Sequence, residues 1–190
     1  MKQYFVYQPC SFWIFTNDST NETDSTYITK TIYSKQGVAD NDGRHQYSFD
    51  MISINYQSKL FYSSEIGYLC AGPNTLKVKT KLSDTNQYAN AEPITYFPGW
   101  GSNTKIIQSN CIGGFVFIQQ FLTSITINNI IYNNIIRTKI QSIDSTNTCP
   151  IFYLRDIYFA KNVGIIKLIE ESRYFNVYRS WSLSKYQVIQ

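Results

Sequence analysis

The side chains that could do chemistry are few, and their spacing does not assemble them into a reaction centre. His45 is the single histidine and sits in the alternating run Arg44-His45-Gln46-Tyr47-Ser48-Phe49, just after Gly43. A serine hydrolase of the elbow type needs Gly-x-Ser-x-Gly to expose its nucleophile, and the chain contains no such run. Glu170 and Glu171 are adjacent, so in a strand they point to opposite faces and cannot flank one glycosidic bond. Asp40 and Asp42 precede Gly43 like the start of a calcium loop, but the later ligands and the closing glutamate are missing, which leaves a turn. Gly113-Gly114 is an isolated pair, not a phosphate cradle. Cys10, Cys70, Cys111 and Cys149 lie far apart with no Cys-x-x-Cys, and one histidine cannot complete a zinc site. The expectation is therefore no catalytic residue, no cofactor and no metal.

Aromatic side chains are the abundant resource: 16 Tyr, 12 Phe and 3 Trp. Trp100, in Tyr96-Phe97-Pro98-Gly99-Trp100-Gly101, sits on a Gly/Pro loop where Trp100, Tyr96 and Phe97 could offer a stacking platform to a sugar or an apolar ligand. The plainer account folds Trp100 back over the open end of a sheet. Trp13 and Trp181 occur in strand contexts and read as core.

These side chains must be carried by a chain of 190 residues, the size of one domain. It is 43% hydrophobic, which supplies a core and argues against disorder, and only 16% charged, too little for a coiled coil. The net charge of +4 is uneven: residues 1–100 carry −1 and residues 101–190 carry +5. The basic residues of the second half stand singly, so the concentrated patch of a nucleic-acid binder is missing and no nucleic-acid partner is expected. The most apolar stretch, Ile112 to Ile136, is interrupted by Gln119, Gln120, Asn128, Asn129, Asn133 and Asn134, so no transmembrane segment is expected. The N-terminus lacks the uninterrupted apolar run of a signal peptide.

The dominant period is two. Tyr27 to Lys35, Arg44 to Phe49, Met51 to Tyr56 and Thr75 to Leu82 alternate or are rich in β-branched and aromatic residues. Phe115 to Gln119, Thr123 to Ile127, Ile130 to Gln141, Ile151 to Lys161, Val163 to Glu170 and Tyr178 to Val188 continue the series. Turn signals separate them: Asp40-Asn41-Asp42-Gly43, Gly72-Pro73-Asn74, Pro98 to Ser102, Asn162, and Asn128-Asn129 as a two-residue hairpin. Residues 17–26 read as an exposed polar loop. Asp84 to Ala91 and Cys111 to Phe121 are the nearest helical windows. The sequence predicts a mostly-β fold over residues 1–190: a single antiparallel, strongly curved sheet or partly open barrel with few short helices.

The last third carries a recognisable order: Tyr132-Asn133-Asn134-Ile135-Ile136, then Asp156 to Lys167 containing Tyr158-Phe159-Ala160-Lys161-Asn162-Val163-Gly164, then Ser180-Trp181-Ser182-Leu183-Ser184-Lys185-Tyr186. This order resembles small cell-envelope lipoproteins of the Bacteroidetes type, over about half the chain, with Phe12-Trp13-Ile14-Phe15 and Asp24-Ser25-Thr26-Tyr27 similar to their opening strands. The resemblance implies an exported protein of the periplasm, outer membrane or cell surface, and not an enzyme. In such proteins a lipidated cysteine follows an apolar leader; Cys10 follows Tyr7-Gln8-Pro9, so the expectation is either an anchor upstream, in a removed leader, or a member that is simply secreted. The motif itself reads structurally: Tyr158 and Ala160 share a strand face, and Gly164 marks a bulge or a close backbone approach. An oxidising compartment makes at least one disulfide among Cys10, Cys70, Cys111 and Cys149 the expectation, against the alternative of buried thiols.

Asp18-Ser19-Thr20, Asp24-Ser25-Thr26 and Asp144-Ser145-Thr146 repeat one tripeptide. Turn chemistry accounts for it first; it also resembles the O-glycosylation sequon of Bacteroidetes envelope proteins, which would make Ser19, Ser25 and Ser145 acceptors and requires them exposed. The combined reading is a non-catalytic envelope protein with a binding or structural role, its partner an envelope component or an apolar or carbohydrate ligand. A carrier holding a lipid-like molecule inside a curved sheet stands second, and an enzyme acting on envelope polysaccharide third.

Overall fold

A computed structural model describes residues 7–39, 46–57, 65–69, 76–77, 103–107, 115–142, 154–172 and 176–189, all of them strand or the turns between strands. The strands are β1 (Phe12–Asn17), β2 (Thr23–Ala39), β3 (Gln46–Gln57), β4 (Glu65–Leu69), β5 (Leu76–Lys77), β6 (Asn103–Ile107), β7 (Phe115–Ile127), β8 (Ile130–Ser142), β9 (Leu154–Ala160), β10 (Gly164–Ser172) and β11 (Val177–Gln187). They form one antiparallel sheet in the order β5-β4-β3-β2-β1-β11-β10-β9-β8-β7-β6, curled into a half-barrel. Every hydrogen-bonded neighbour is also a neighbour in sequence except β1 and β11, so the two ends of the chain meet at the middle of the sheet.

The curl has local causes. Register shifts occur between Ile14 and Phe15, between Ile28 and Lys30, and between Ile165 and Lys167. Each such irregularity bends its strand and increases the right-handed twist. The β7–β8 connection is the two-residue turn Asn128-Asn129, with φ of 50° and 64°. Positive φ at both central residues matches the strand twist, and asparagine tolerates it.

Cross-strand partners set the two faces. On the inner face Phe15 lies opposite Leu183, and Leu168 lies opposite Trp181 on one side and Ile157 on the other. Ile166, Leu168 and Leu183 are fully buried and Phe15, Ile157 and Phe159 nearly so. Each such side chain contributes about 1.5–3 kcal/mol by leaving water. Trp13 and Trp181 belong to this core, as their strand context implied. A second inner row is ionic: Arg155 opposes Glu170, and Glu170 opposes Arg179. Arg155 Nε donates to Glu170 Oε1 at 2.8 Å, with the two side chains 4% and 0% exposed.

Two expectations need correction. The window Cys111 to Phe121 is not helical from Phe115 onward; that part is β7, paired with β6 and β8 along its β-branched and aromatic residues. The other window, Asp84 to Ala91, lies outside the described residues. Residues 17–26 are not one loop either: the turn is short, Asn17 completes β1 and Thr23 opens β2. Asp24 and Thr26 are buried on the inner face beside Phe15 and Trp13. Their period-two burial is carried by polar side chains, which a hydropathy pattern does not register.

Candidate functional site

The site is built where three turns and strand ends of the right-hand half of the sheet converge. β8 brings Ile130, Ile131, Tyr132, Asn133 and Asn134, the β9–β10 turn brings Ala160, Lys161, Asn162 and Val163, and β11 brings Tyr186; together they line an open groove of about 330 Å³. That is the low end of the size of ligand sites, about 300–1,000 Å³.

Its backing is rigid for identifiable reasons. Trp13 Nε1 donates to the Val163 carbonyl at 2.5 Å, and the Tyr7 and Trp13 rings meet edge to face at 5.1 Å. Gly164 follows at φ 97°, and a Cβ there would stand 3.2 Å from Tyr7 Cε2 and 3.3 Å from Trp13 Nε1. Glycine is thus required both by the backbone and by the two aromatic rings, which is the close approach expected of it. Lys161 N–H donates to the Asn134 carbonyl and Val163 N–H to that of Ala160, closing the turn against β8. Asn134 and Asn162 hold φ of 55° and 63°. Asn128 Nδ2 donates to the Leu183 carbonyl and ties the hairpin to β11.

The lining mixes surfaces. Ile131 is 66% exposed, and Ile130 and Tyr186 are also open to solvent. Tyr132 is buried, and its phenol is held above the ordinary value of 10.0 first by burial and then by neighbouring Tyr186. Asn133, Asn134 and Lys161 are exposed. None of the ten lining residues is a carboxylate or an imidazole. The groove offers amides, phenols, one ammonium and aliphatic surface, groups that can hold a ligand by hydrogen bonds, charge and apolar contact.

A second polar cluster lies on the opposite, outer face of the sheet. Arg137 Nε and Nη2 clamp Asp156, with Nη2–Oδ2 at 2.6 Å, Nη1 donates to Gln120 Oε1, and the guanidinium stands 5.2 Å from the Tyr158 ring centroid. Asp156 holds the Arg137 charge in place, and burial raises the Tyr158 phenol, with Asp156 adding to the rise. Nε, Nη1 and Nη2 each donate to a side chain of the sheet, so the fork ties β7, β8 and β9 together on this face. Asp156 and Glu170 stand on opposite faces, since Asp156 pairs with Ile169 and Glu170 with Arg155. They cannot serve one substrate together.

The platform Trp100, Tyr96 and Phe97 lies outside the described residues, as do His45, Asp40, Asp42, Cys70, Cys111, Cys149 and Ser145. Cys10 is exposed with a free thiol, in a turn at φ 73°. Ser19 and Ser25 are both exposed, on the β1–β2 turn and on the outer face of β2. The turn is ordinary Asx chemistry: Asn17 Oδ1 accepts from the amides of Ser19 and Thr20, while Asp18 receives the Ser180 hydroxyl and lies 3.5 Å from Lys167 Nζ.

Composition and motif searching missed the groove. Its residues Tyr132-Asn133-Asn134, Ala160 to Val163 and Tyr186 nonetheless lie in the segments whose order resembles envelope lipoproteins. Periodicity gave no sign that Asn134 is left-handed inside β8, because such a residue leaves no mark on it.

Among known proteins, no family profile matches this chain, and no curated protein matches it. Among solved structures, it is similar to the crystal structure of a putative lipoprotein from Parabacteroides distasonis ATCC 8503, at 13% identity over 98% of this chain and 100% of that one, with a TM-score of 0.37.

Proposed function

We propose that this chain is a non-catalytic binding domain of the bacterial cell envelope, with the β8/β9–β10/β11 groove as its ligand site. One observation carries the reading: three stretches distant in sequence converge on one preformed concavity, held from behind by Trp13 and Tyr7. Eight of its ten lining residues fall within the segments that resemble envelope lipoproteins, at Tyr132-Asn133-Asn134, Ala160 to Val163 and Tyr186. Export supplies the setting, and the pairing of thiols among Cys70, Cys111 and Cys149 belongs to the same reading.

A carrier of a lipid-like ligand stands second: the inner side chains Ile157, Ile166, Leu168, Trp181 and Leu183 of β9, β10 and β11 are buried in one hydrophobic cluster, and the groove, not the inside of the curl, is the concavity on which the first reading rests.

Sedimentation with isolated envelopes tests the proposal. Purified protein mixed with envelopes of a Bacteroidetes bacterium is expected to co-sediment saturably, and a Lys161→Glu/Tyr186→Ala variant with unchanged circular dichroism is expected to stay in the supernatant. Equal sedimentation of both proteins, or none of either, contradicts the assignment of the groove.

A further inference from the structure

We propose that the groove takes a short acidic glycan, about a disaccharide in length, with a uronate carboxylate seated at Lys161. The inference rests on the reading of the groove as the ligand site and names what fills it.

The lining decides between ligand classes. A pyranose presents hydroxyls around its edge and C–H groups on its faces. Asn133 and Asn134 each offer one amide acceptor and two donors to the first, and Ile130, Ile131 and the Tyr186 ring offer apolar surface to the second. A peptide has less purchase. β8, β9, β10 and β11 each have a strand on both sides, so no edge is open at the groove for a peptide strand to join. The volume of about 330 Å³ and the open shape lack the deep apolar pocket that would anchor a peptide side chain or an acyl chain.

Charge then narrows the class. Lys161 is the one charged residue among the ten, and no carboxylate stands among them to neutralise it. The Tyr132 phenol is kept protonated by burial, so it adds no negative charge at neutral pH. A neutral sugar would leave the Lys161 ammonium to water, whereas a uronate would give it a charge-assisted partner. The backbone of the groove wall is held by contacts within the fold: Asn134 and Asn162 take positive φ, and Val163 is tied to Trp13. Little ordering is left to oppose a weak polar ligand.

The test is a titration of the full-length, ¹⁵N-labelled protein with a panel of uronate disaccharides, with cellobiose as the neutral comparison and tetraglutamate as an acidic peptide. Uronate disaccharides are expected to shift the amides of residues 130–134 and 160–163 and the side-chain amides of Asn133 and Asn134. Lys161→Ala is expected to weaken that binding about fivefold, the scale of an exposed ion pair, while Lys161→Arg retains it and Tyr178→Ala, far along β11, changes nothing. Equal response to cellobiose with no effect of Lys161→Ala overturns the acidic class. Failure of every disaccharide, with groove-dependent sedimentation on envelopes intact, overturns the glycan and leaves the binding site standing. A response to tetraglutamate alone overturns it in favour of a peptide, and loss of both disaccharide binding and sedimentation removes the groove as a site.

Discussion

At the scale of single residues, the structure turns on a few positions where no other side chain fits. Gly164 combines φ 97° with a missing Cβ that would press on Tyr7 and Trp13. Gly164→Ala is expected to cost about 1–3 kcal/mol and to disturb the groove wall beside Val163; urea denaturation and the Trp13 indole N–H resonance measure the two effects. Glu170 matters for a different reason, its charge. With Arg155 as its buried partner, Glu170→Leu leaves a guanidinium charge inside the sheet and is expected to cost about 3–5 kcal/mol. The double change Arg155→Met/Glu170→Leu is expected to recover most of that loss, and a single-variant loss under 1 kcal/mol would show the pair to be solvated. The tyrosines set an alkaline limit. Tyr132 and Tyr158 have folded-state values above 10.0, so folding favours the neutral phenols. That contribution is complete below pH 10 and is lost as pH climbs through the higher folded values. Urea midpoints are expected to fall above about pH 10, and less steeply in Tyr132→Phe.

At the scale of elements, the strands were legible wherever alternation was carried by hydrophobicity, and illegible where it was carried by anything else. Ile130 to Gln141 and Val163 to Glu170 gave β8 and β10 closely, and Asn128-Asn129 gave the β7–β8 hairpin because asparagine tolerates positive φ; β1, uniformly apolar at Phe12-Trp13-Ile14-Phe15, was indicated only by resemblance. β2 was read too short at its start because Asp24 and Thr26 occupy inner positions, held there by neighbours on β1 and not by their own hydropathy. The groove escaped for a related reason. Its walls come from β8, the β9–β10 turn and β11, and only the β9-β10-β11 order of the sheet, itself fixed by long-range pairing, sets Tyr186 near Lys161 and Tyr132. The hairpin supplies a test at this scale. Asn129→Gly is expected to keep or raise the melting temperature, since glycine enters a positive-φ position freely. Asn129→Val is expected to lose about 1–2 kcal/mol, and equal melting of the two variants would show that the turn does not hold this geometry.

At the scale of the whole molecule, the sheet is two meanders joined where β1 pairs with β11, so the first and last strands sit at the centre and not at the edges. That placement brings both ends of the chain to the groove wall. The Tyr7–Trp13 pair from the chain's beginning supports a turn 150 residues later, through Trp13 and Val163. The envelope setting makes its own prediction about the cysteines: with Cys10 free, protein from an oxidising compartment is expected to show at most two free thiols when titrated denatured and unreduced, and four free thiols would count against export. The exposed Ser19 and Ser25 permit the same protein to be checked by intact mass, where a bare-chain mass removes glycosylation at both. The central claim, that the groove is where this protein meets its ligand, is tested most directly by site-specific photocrosslinking in the native cell. A benzophenone side chain replacing Tyr186 is expected to give an adduct with envelope material, and one replacing Tyr178, exposed on the same strand but remote from the groove, is expected to give none. Adducts of equal yield at both positions, or adducts at Tyr178 alone, would contradict the account.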